Sequence, residues 1–261
     1  MPELLLFNFL LLLTCMVALW LLSILLGDVS FVDSFWAFGF VIVAASSAWQ
    51  IGVGDAVRSL LLLGVTAAWG MRLGLFLLLR WRRDGADPRY LRMLEKARGN
   101  RHLFSLRAVF LLQGVMLWTV SLPVQLGMLR DDGGAAGALA WAGLALAAIG
   151  IVFETVGDAQ MAAFRGDPGN RGLVMDRGLW RYTRHPNYFG DACVWWGLFL
   201  IALDAGAPLW VVVGPALLNW TLLRWSGAAL LERRLKRSRP GYADYIARTS
   251  GFIPRPPRKA S

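Results

Sequence analysis

The chain has 261 residues, of which 57% are hydrophobic and only 17% charged, with a mean hydropathy of +0.51; a soluble domain carries about a quarter charged residues. This composition excludes an ordinary cytosolic enzyme, a disordered or collagen-like chain and a disulfide scaffold, since the two cysteines, Cys15 and Cys193, both lie in apolar runs. The net charge of +10 would suit a nucleic-acid binder in a soluble chain, so the placement of the charges decides what it means.

A helix needs roughly 20 apolar residues to cross a hydrocarbon core about 30 Å thick. Seven stretches of that kind are predicted in chain order: Leu4–Leu26, Phe35–Ile51, Ser59–Leu79, Ala108–Leu129, Ala136–Phe153, Tyr188–Leu203 and Leu209–Leu223. The first lacks the basic flank of a signal peptide and is too long for one, so it is read as a membrane helix. The fifth is expected to continue through Phe164 into water, and the seventh past Arg224. Of the 27 lysines and arginines, 24 fall in Arg80–Arg107, Arg165–Arg184 and from Arg224 onward. Cytoplasmic loops carry such an excess, so the pattern predicts the N-terminus outside and the C-terminus in the cytosol. The expected fold is all-α, one polytopic membrane bundle over residues 1–261. Its positive charge then faces anionic lipid rather than nucleic acid.

Polar residues inside such spans need a partner or a purpose. Arg72 sits in Trp69-Gly70-Met71-Arg72-Leu73-Gly74, where the glycines would admit a neighbouring helix or a ligand. Asp33 or Ser34 is expected to cap the second helix, and Gln113 and Gln125 to join helices. On an α-helix Glu154, Asp158 and Arg165 fall within about 40 degrees of one another, and Asp158 and Arg165 lie roughly 10.5 Å apart along the axis. That spacing would hold the two ends of something polar. It would equally suit a solvated charge stripe.

With His102 and His185 as the only histidines, no histidine box and no paired-histidine zinc motif can form, so no metal site is expected. No Walker A, GxSxG or Rossmann GxGxxG run occurs either. The densest polar run is Trp180 to Asp191 at the mouth of the sixth span. Pro186 fits the first position of that helix, whose amides and dipole would favour an anion. Asn187 and Asp191 share a face, with Arg181, Arg184, Arg165, Arg171, Arg177 and Arg224 as cationic forks. The turn-rich loop Gly166–Gly172 would approach a pyrophosphate by its backbone, or simply connect two helices. Tyr188 is either a proton donor into a cavity or an interfacial belt residue.

At this motif the chain resembles the steroid 5-alpha-reductase-like superfamily of membrane proteins. Over its length it resembles a bacterial group of unknown function with a steroid-reductase C-terminal region. The residues that carry the likeness are Val29–Phe40, Gly85-Ala86-Asp87-Pro88-Arg89-Tyr90, Phe164-Arg165-Gly166, Gly178–Asp191, Tyr242–Tyr245 and Phe252-Ile253-Pro254. The resemblance implies a seven-helix protein of the bacterial inner membrane. It would use NADPH to reduce a carbon-carbon double bond of a lipid or steroid-like substrate, with residues 4–129 on the substrate side and 136–261 on the cofactor side.

Carried over by position, Asp158, Arg165, Asn187, Asp191 and Arg224 would contact the dinucleotide, and the RHPNY and GD shared with sterol reductases adds Arg184, His185 and Tyr188; the residues themselves add Glu154 and Arg171 as cofactor-binding candidates and Arg72, beside Tyr188, as a catalytic candidate. Glu154 stands where the steroid reductases carry asparagine. Their Gln-Glu pair and substrate tyrosine have no clear counterpart, and Phe76–Leu79 occupy the region where that tyrosine is expected. The isoprenylcysteine carboxyl methyltransferases also share RHP-x-Y-x-G, and Arg224–Glu232 with Tyr242–Tyr245 fit their pattern, which implies S-adenosylmethionine instead. A non-enzymatic membrane protein that keeps the fold is the third alternative. The oligomeric state is left open.

Overall fold

The computed structural model describes residues 2–225 and 227–258; Lys259, in the predicted basic tail, lies outside them. Among the described residues the chain is helical, with one isolated bridge, Thr183 to Ser250, and no strand. The helices are α1 (Pro2–Leu26), α2 (Val32–Ile51), α3 (Val57–Asp84), α4 (Pro88–Glu95), α5 (Arg101–Ser105), α6 (Leu112–Val120), α7 (Leu122–Arg130), α8 (Ala138–Gly166), α9 (Pro186–Asp204), α10 (Val213–Trp220), α11 (Ala228–Ser238) and α12 (Tyr242–Arg248). A π-helical turn, Leu106–Leu111, joins α5 to α6, and Ser121 with Pro123 breaks α6 from α7, because proline brings no amide to the ladder.

Among the described residues, five helices are long and apolar enough to cross a membrane: α1, α2, α3, the composite Arg101–Arg130, and α8. Their apolar faces point largely outward: Leu25 is 84% exposed, Trp49 76% and Leu79 65%, an arrangement suited to lipid rather than water. The sixth predicted span lies within α9, whose first turns carry Asn187, Tyr188 and Asp191 and so dilute its hydropathy. The seventh is not one α-helix: it runs as a 3-10 turn (Leu209–Val212), α10, and a π-helical turn (Thr221–Trp225).

The chain forms two compact units. The first holds the residues up to Trp141 together with Leu198–Gly214; the second holds Ala142–Gly197 and the residues from Pro215 onward.

In the first unit α2 and α3 pack directly, because α3 offers glycine at the contact. A Cβ on Gly70 would lie 2.8 Å from the Ala37 carbonyl oxygen, and one on Gly74 would lie 2.6 Å from the Phe38 ring. The glycines that flank Arg72 are thus taken up by a neighbouring helix. A buried polar knot ties α1 to α2 and α7. Asn8 donates to Ser47 Oγ (2.8 Å) and Gln125 Oε1 (3.0 Å) and accepts from Ser46 (2.7 Å), while Gln125 donates to Ser121 (2.8 Å). In hydrocarbon such groups have no water to turn to, so each satisfied pair fixes a helix-helix register. At the other end of α3, buried Arg58 grips Asp131 (2.9 Å), Asp132 and the Asp204 carbonyl (2.9 Å).

In the second unit glycines fall every seven residues on both partners: Gly143, Gly150 and Gly157 on α8, Gly190 and Gly197 on α9. A Cβ on Gly150 would stand 2.5 Å from the Gly190 carbonyl oxygen, one on Gly190 2.6 Å from that of Gly150, and one on Gly197 2.5 Å from that of Gly143. The two backbones are in contact. Such close approach gains dispersion energy over a long face and leaves no room for any side chain.

Gly150→Ala or Gly190→Ala is therefore expected to destabilise the protein by about 1–3 kcal/mol in detergent thermal melts. Gly64→Ala on α3, where a Cβ meets nothing within 4 Å, should leave the melt unchanged or raise it slightly.

Candidate functional site

In the second unit the glycine contact decides which polar residues meet. Gly190 of α9 lies against Glu154, its Cβ position 2.8 Å from the Glu154 Cβ, and Gly157 of α8 lies against Pro186 and the Asn187 amide. Glu154 and Asp158 are buried on α8, at 1% and 8% exposure, and Asp191 is buried at 8% on α9. The structure thus brings the Glu154 and Asp158 turns of α8 beside the Asn187 and Asp191 turns of α9. One further helical stretch along α8, Arg165 is exposed at the helix end.

Beyond Arg165 the loop closes on itself. Asp167 caps a 3-10 turn, Pro168–Asn170, by accepting from the Gly169 amide (2.8 Å) and the Asn170 side-chain amide (3.3 Å). Asn170 also donates to the Phe164 carbonyl (3.1 Å), and the amides of Asn170, Arg171 and Leu173 bond within the turn. Of the two readings of this loop, cradle or plain connection, these bonds belong to a tight connection, and the amides of Gly169, Asn170 and Arg171 are used within it. What the turn leaves is a cleft of about 100 Å³ lined by Phe164, Arg165, Asp167, Asn170, Arg171 and Arg239.

The run Gly178–Asp191 has a different fate on each side of Pro186. Before it, most of the polar groups shown to bond brace the C-terminal segment or α8. Trp180 donates from Nε1 to the Gly157 carbonyl (3.0 Å), and its own carbonyl accepts from the Tyr245 hydroxyl (2.5 Å). Thr183 donates to the Phe252 carbonyl (2.7 Å), and the Arg184 amide to that of Ser250 (2.9 Å). The Arg184 guanidinium holds Glu232 with two bonds (2.8 and 3.2 Å) and reaches the carbonyls of Thr249 (2.6 Å) and Ile246 (3.3 Å). His185, 2% exposed, bonds Glu232 through Nε2 at 2.9 Å, and since a carboxylate only accepts, that nitrogen carries the proton.

Arg184 and His185, assigned above to the dinucleotide, are thus committed to α11 and the segment after α12. The reason is that Glu232 offers them a partner that sequence distance hid. After Pro186, Asn187 and Tyr188 are half-buried, and the Tyr188 ring stacks on His185 with centroids 5.2 Å apart. Arg224 is exposed on the π-helical turn, and Arg72 is half-buried on α3 in the other unit.

The first unit contains a polar cluster that the sequence reading missed. Asp33 is not a helix cap: α2 begins after Phe31 with no side-chain cap. Its carboxylate instead accepts from the Tyr90 hydroxyl (2.5 Å) and Arg89 (3.2 Å), and Gln113 donates to the Tyr90 oxygen (2.9 Å). Burial, with the Asp33 carboxylate beside it, pushes the Tyr90 hydroxyl well above the usual phenol range, so it stays a donor. Asp28 accepts from Ser30 and from Trp81 Nε1 (2.7 Å), and Ser30 Oγ accepts from the Asp87 amide (3.1 Å). The segments Val29–Phe40 and Gly85–Tyr90 are therefore one hydrogen-bonded assembly. The signal for it was the pairing of two acidic residues with two donors across that distance. Among the described residues, no group of three or more His, Cys, Asp or Glu side chains is spaced to hold a metal ion.

Burial raises the Glu232 carboxyl, but hydrogen bonds from His185 and Arg184 and the Arg184 charge outweigh it and hold the group at about 2, against 4.5 ordinarily. That depression contributes about 3 kcal/mol above the unfolded value, and the contribution is lost as pH falls from 4.5 toward 2. Glu232→Gln is expected to remove about this much stability near neutral pH and to flatten the acid dependence of the melt in that window. An unchanged melt and acid profile would show that Glu232 braces nothing.

Against known proteins, the family model described as "Protein of unknown function (DUF1295)" matches residues 19–249. An uncharacterized protein of Schizosaccharomyces pombe is 25% identical over 179 residues, which is 59% of this chain; the chain spans about half the length of that curated relative, 50% of it. No solved structure matches. With the match running from within α1 to past α12, the chain belongs to the DUF1295 family.

Proposed function

We propose that the protein is an NADPH-dependent integral membrane reductase that saturates an activated carbon-carbon double bond in a lipid or steroid-like substrate. The observation that carries this reading is the α8–α9 glycine contact, which sets buried Glu154 and Asp158 beside the Asn187 and Asp191 turns, on the helix that ends at Arg165. Acidic and amide side chains suit ribose hydroxyls and a carboxamide; guanidiniums suit phosphates. The donor set fits a dinucleotide: Asp158, Asn187 and Asp191 would bind its polar groups and Arg165, Arg171 and Arg224 would neutralise its phosphates. When bound, the nicotinamide supplies hydride. The chain must supply an electrophile toward the carbonyl conjugated to the double bond, and a proton. Tyr188, its ring fixed by stacking on His185, would hold the proton. Arg184, His185 and Glu232 act by position, bracing the loop from which α9 starts.

The S-adenosylmethionine reading draws on the RHP segment, Glu232 and the Tyr242–Tyr245 pair, and these form the brace rather than a reaction centre, so they favour neither cofactor. Asp158 and Asn187 favour the reductase. In thermal-shift and fluorescence titrations of the full chain in detergent, NADPH should bind and S-adenosylmethionine should not. Asp158→Asn and Asn187→Ala should weaken NADPH by about tenfold, the worth of one good hydrogen bond to a charged group. Protection by S-adenosylmethionine alone would select the methyltransferase, and binding of neither would select a non-enzymatic role.

The reading includes seven crossings of a bacterial inner membrane, with α9 and the 209–225 segment as the sixth and seventh. It is supported by the lysine and arginine bias. In a cysteine-free background, Ala135→Cys should react with an impermeant maleimide in intact cells, and Arg98→Cys only after permeabilisation. The opposite pattern would overturn the orientation.

A further inference from the structure

The arginine cleft at the end of α8 has a chemistry of its own. Three guanidiniums from separate parts of the chain, Arg165, Arg171 and Arg239, line about 100 Å³ of space. Such a space is far below the several hundred cubic ångströms of a pocket for a whole small molecule, but suited to one compact polyanionic group. The carboxylate in the lining, Asp167, is turned to the 3-10 turn, where the Gly169 amide and the Asn170 side chain occupy its oxygens. It therefore sets the loop. Arg239 is held across the opening by its bond to the Leu173 carbonyl, which keeps it at the cleft instead of reaching for headgroups. Positive-inside bias requires basic residues in this loop but not their convergence on one hollow.

We propose that this cleft binds a single phosphomonoester, with Arg239 as a recognition residue beside Arg165 and Arg171. Three planar forks match the dianionic, three-oxygen face of a monoester better than the single charge of a phosphodiester. The identification of the source rests on the cofactor reading above: for a dinucleotide, the monoester is the 2′-phosphate that distinguishes NADPH from NADH. The same chemistry would be offered by the headgroup of phosphatidate or by free phosphate.

The test uses the full chain in detergent, titrated with NADPH, NADH and inorganic phosphate, and in nanodiscs of phosphatidylcholine with and without phosphatidate. The variants are Arg171→Gln, Arg239→Gln and Arg239→Lys. Arg239→Gln also loses the Leu173 bond, so the exposed Arg171→Gln, with an unchanged melt, is the variant that isolates binding. The expected result is that both glutamine variants weaken NADPH by about tenfold and leave NADH within about twofold, while Arg239→Lys recovers part of the loss. If neither dinucleotide binds but the same variants abolish retention of phosphate or phosphatidate, the cleft stands and the cofactor reading falls. If NADPH binds and neither variant alters NADPH, phosphate or phosphatidate binding, the cleft proposal is overturned and the cofactor reading survives.

Discussion

Backbone contact between α8 and α9 is the constraint from which the second unit follows. With Cβ positions at Gly150 and Gly190 only 2.5 and 2.6 Å from the opposing carbonyl oxygens, neither helix can slide or rotate without separating. That lock determines that Glu154 meets Gly190 and that Gly157 meets Pro186, and so which turn of α9 stands beside Asp158. Side chains on a looser interface would tolerate a shift of one residue, which carries a side chain about 100 degrees round the helix. A precise polar arrangement on long apolar helices needs such a lock, because lipid provides no hydrophobic drive to align them.

The second constraint is a carboxylate. Glu232 gathers Arg184 and His185, and Arg184 in turn gathers the carbonyls of Ile246 and Thr249. Around it run the bonds from Thr183 to Phe252, from the Arg255 amide to Tyr182 and from Arg248 to Asp176 (2.5 Å). The residues that make the motif recognisable are largely those that hold this brace. Sequence likeness in the RHPNY run therefore reports architecture first, which explains why one motif can point to two different cofactors.

Legibility in the sequence followed the range of the interaction. Local, periodic features were readable: the continuation of the fifth span, with Arg165 in the last turn of α8, and Gln125 as a joint between helices, which it makes with Asn8 and Ser121. Features set by a partner far along the chain were not. Asp33 has the composition of a cap, yet its partner is Tyr90, 57 residues away, and nothing local distinguishes the two roles. Arg184 looked available because Glu232 lies 48 residues on. The glycines at seven-residue spacing were visible in the sequence, but their meaning depends on a second helix carrying the same spacing in register, and only the fold supplies that match. The seventh apolar stretch shows a further limit: composition sets burial in lipid but not the hydrogen-bond pattern, and residues 209–225 wind as 3-10, α and π in succession.

The arginines separate into two populations once their partners are known, although composition treats them alike. Arg58, Arg89, Arg184 and Arg248 are paired with carboxylates, and for Arg58 and Arg184, held inside the fold, removing one partner would leave a charge in a poorly solvated place. At the end of α8 the nearby carboxylate, Asp167, is taken up by the turn it caps, and three guanidiniums line the same hollow. Positive-inside bias acts on charge counts and is indifferent to convergence. Convergence has an electrostatic cost, since like charges are crowded together in a partly desolvated space. A fold that maintains it, with Arg239 tethered to the Leu173 carbonyl, is arranged for an anion to offset that cost.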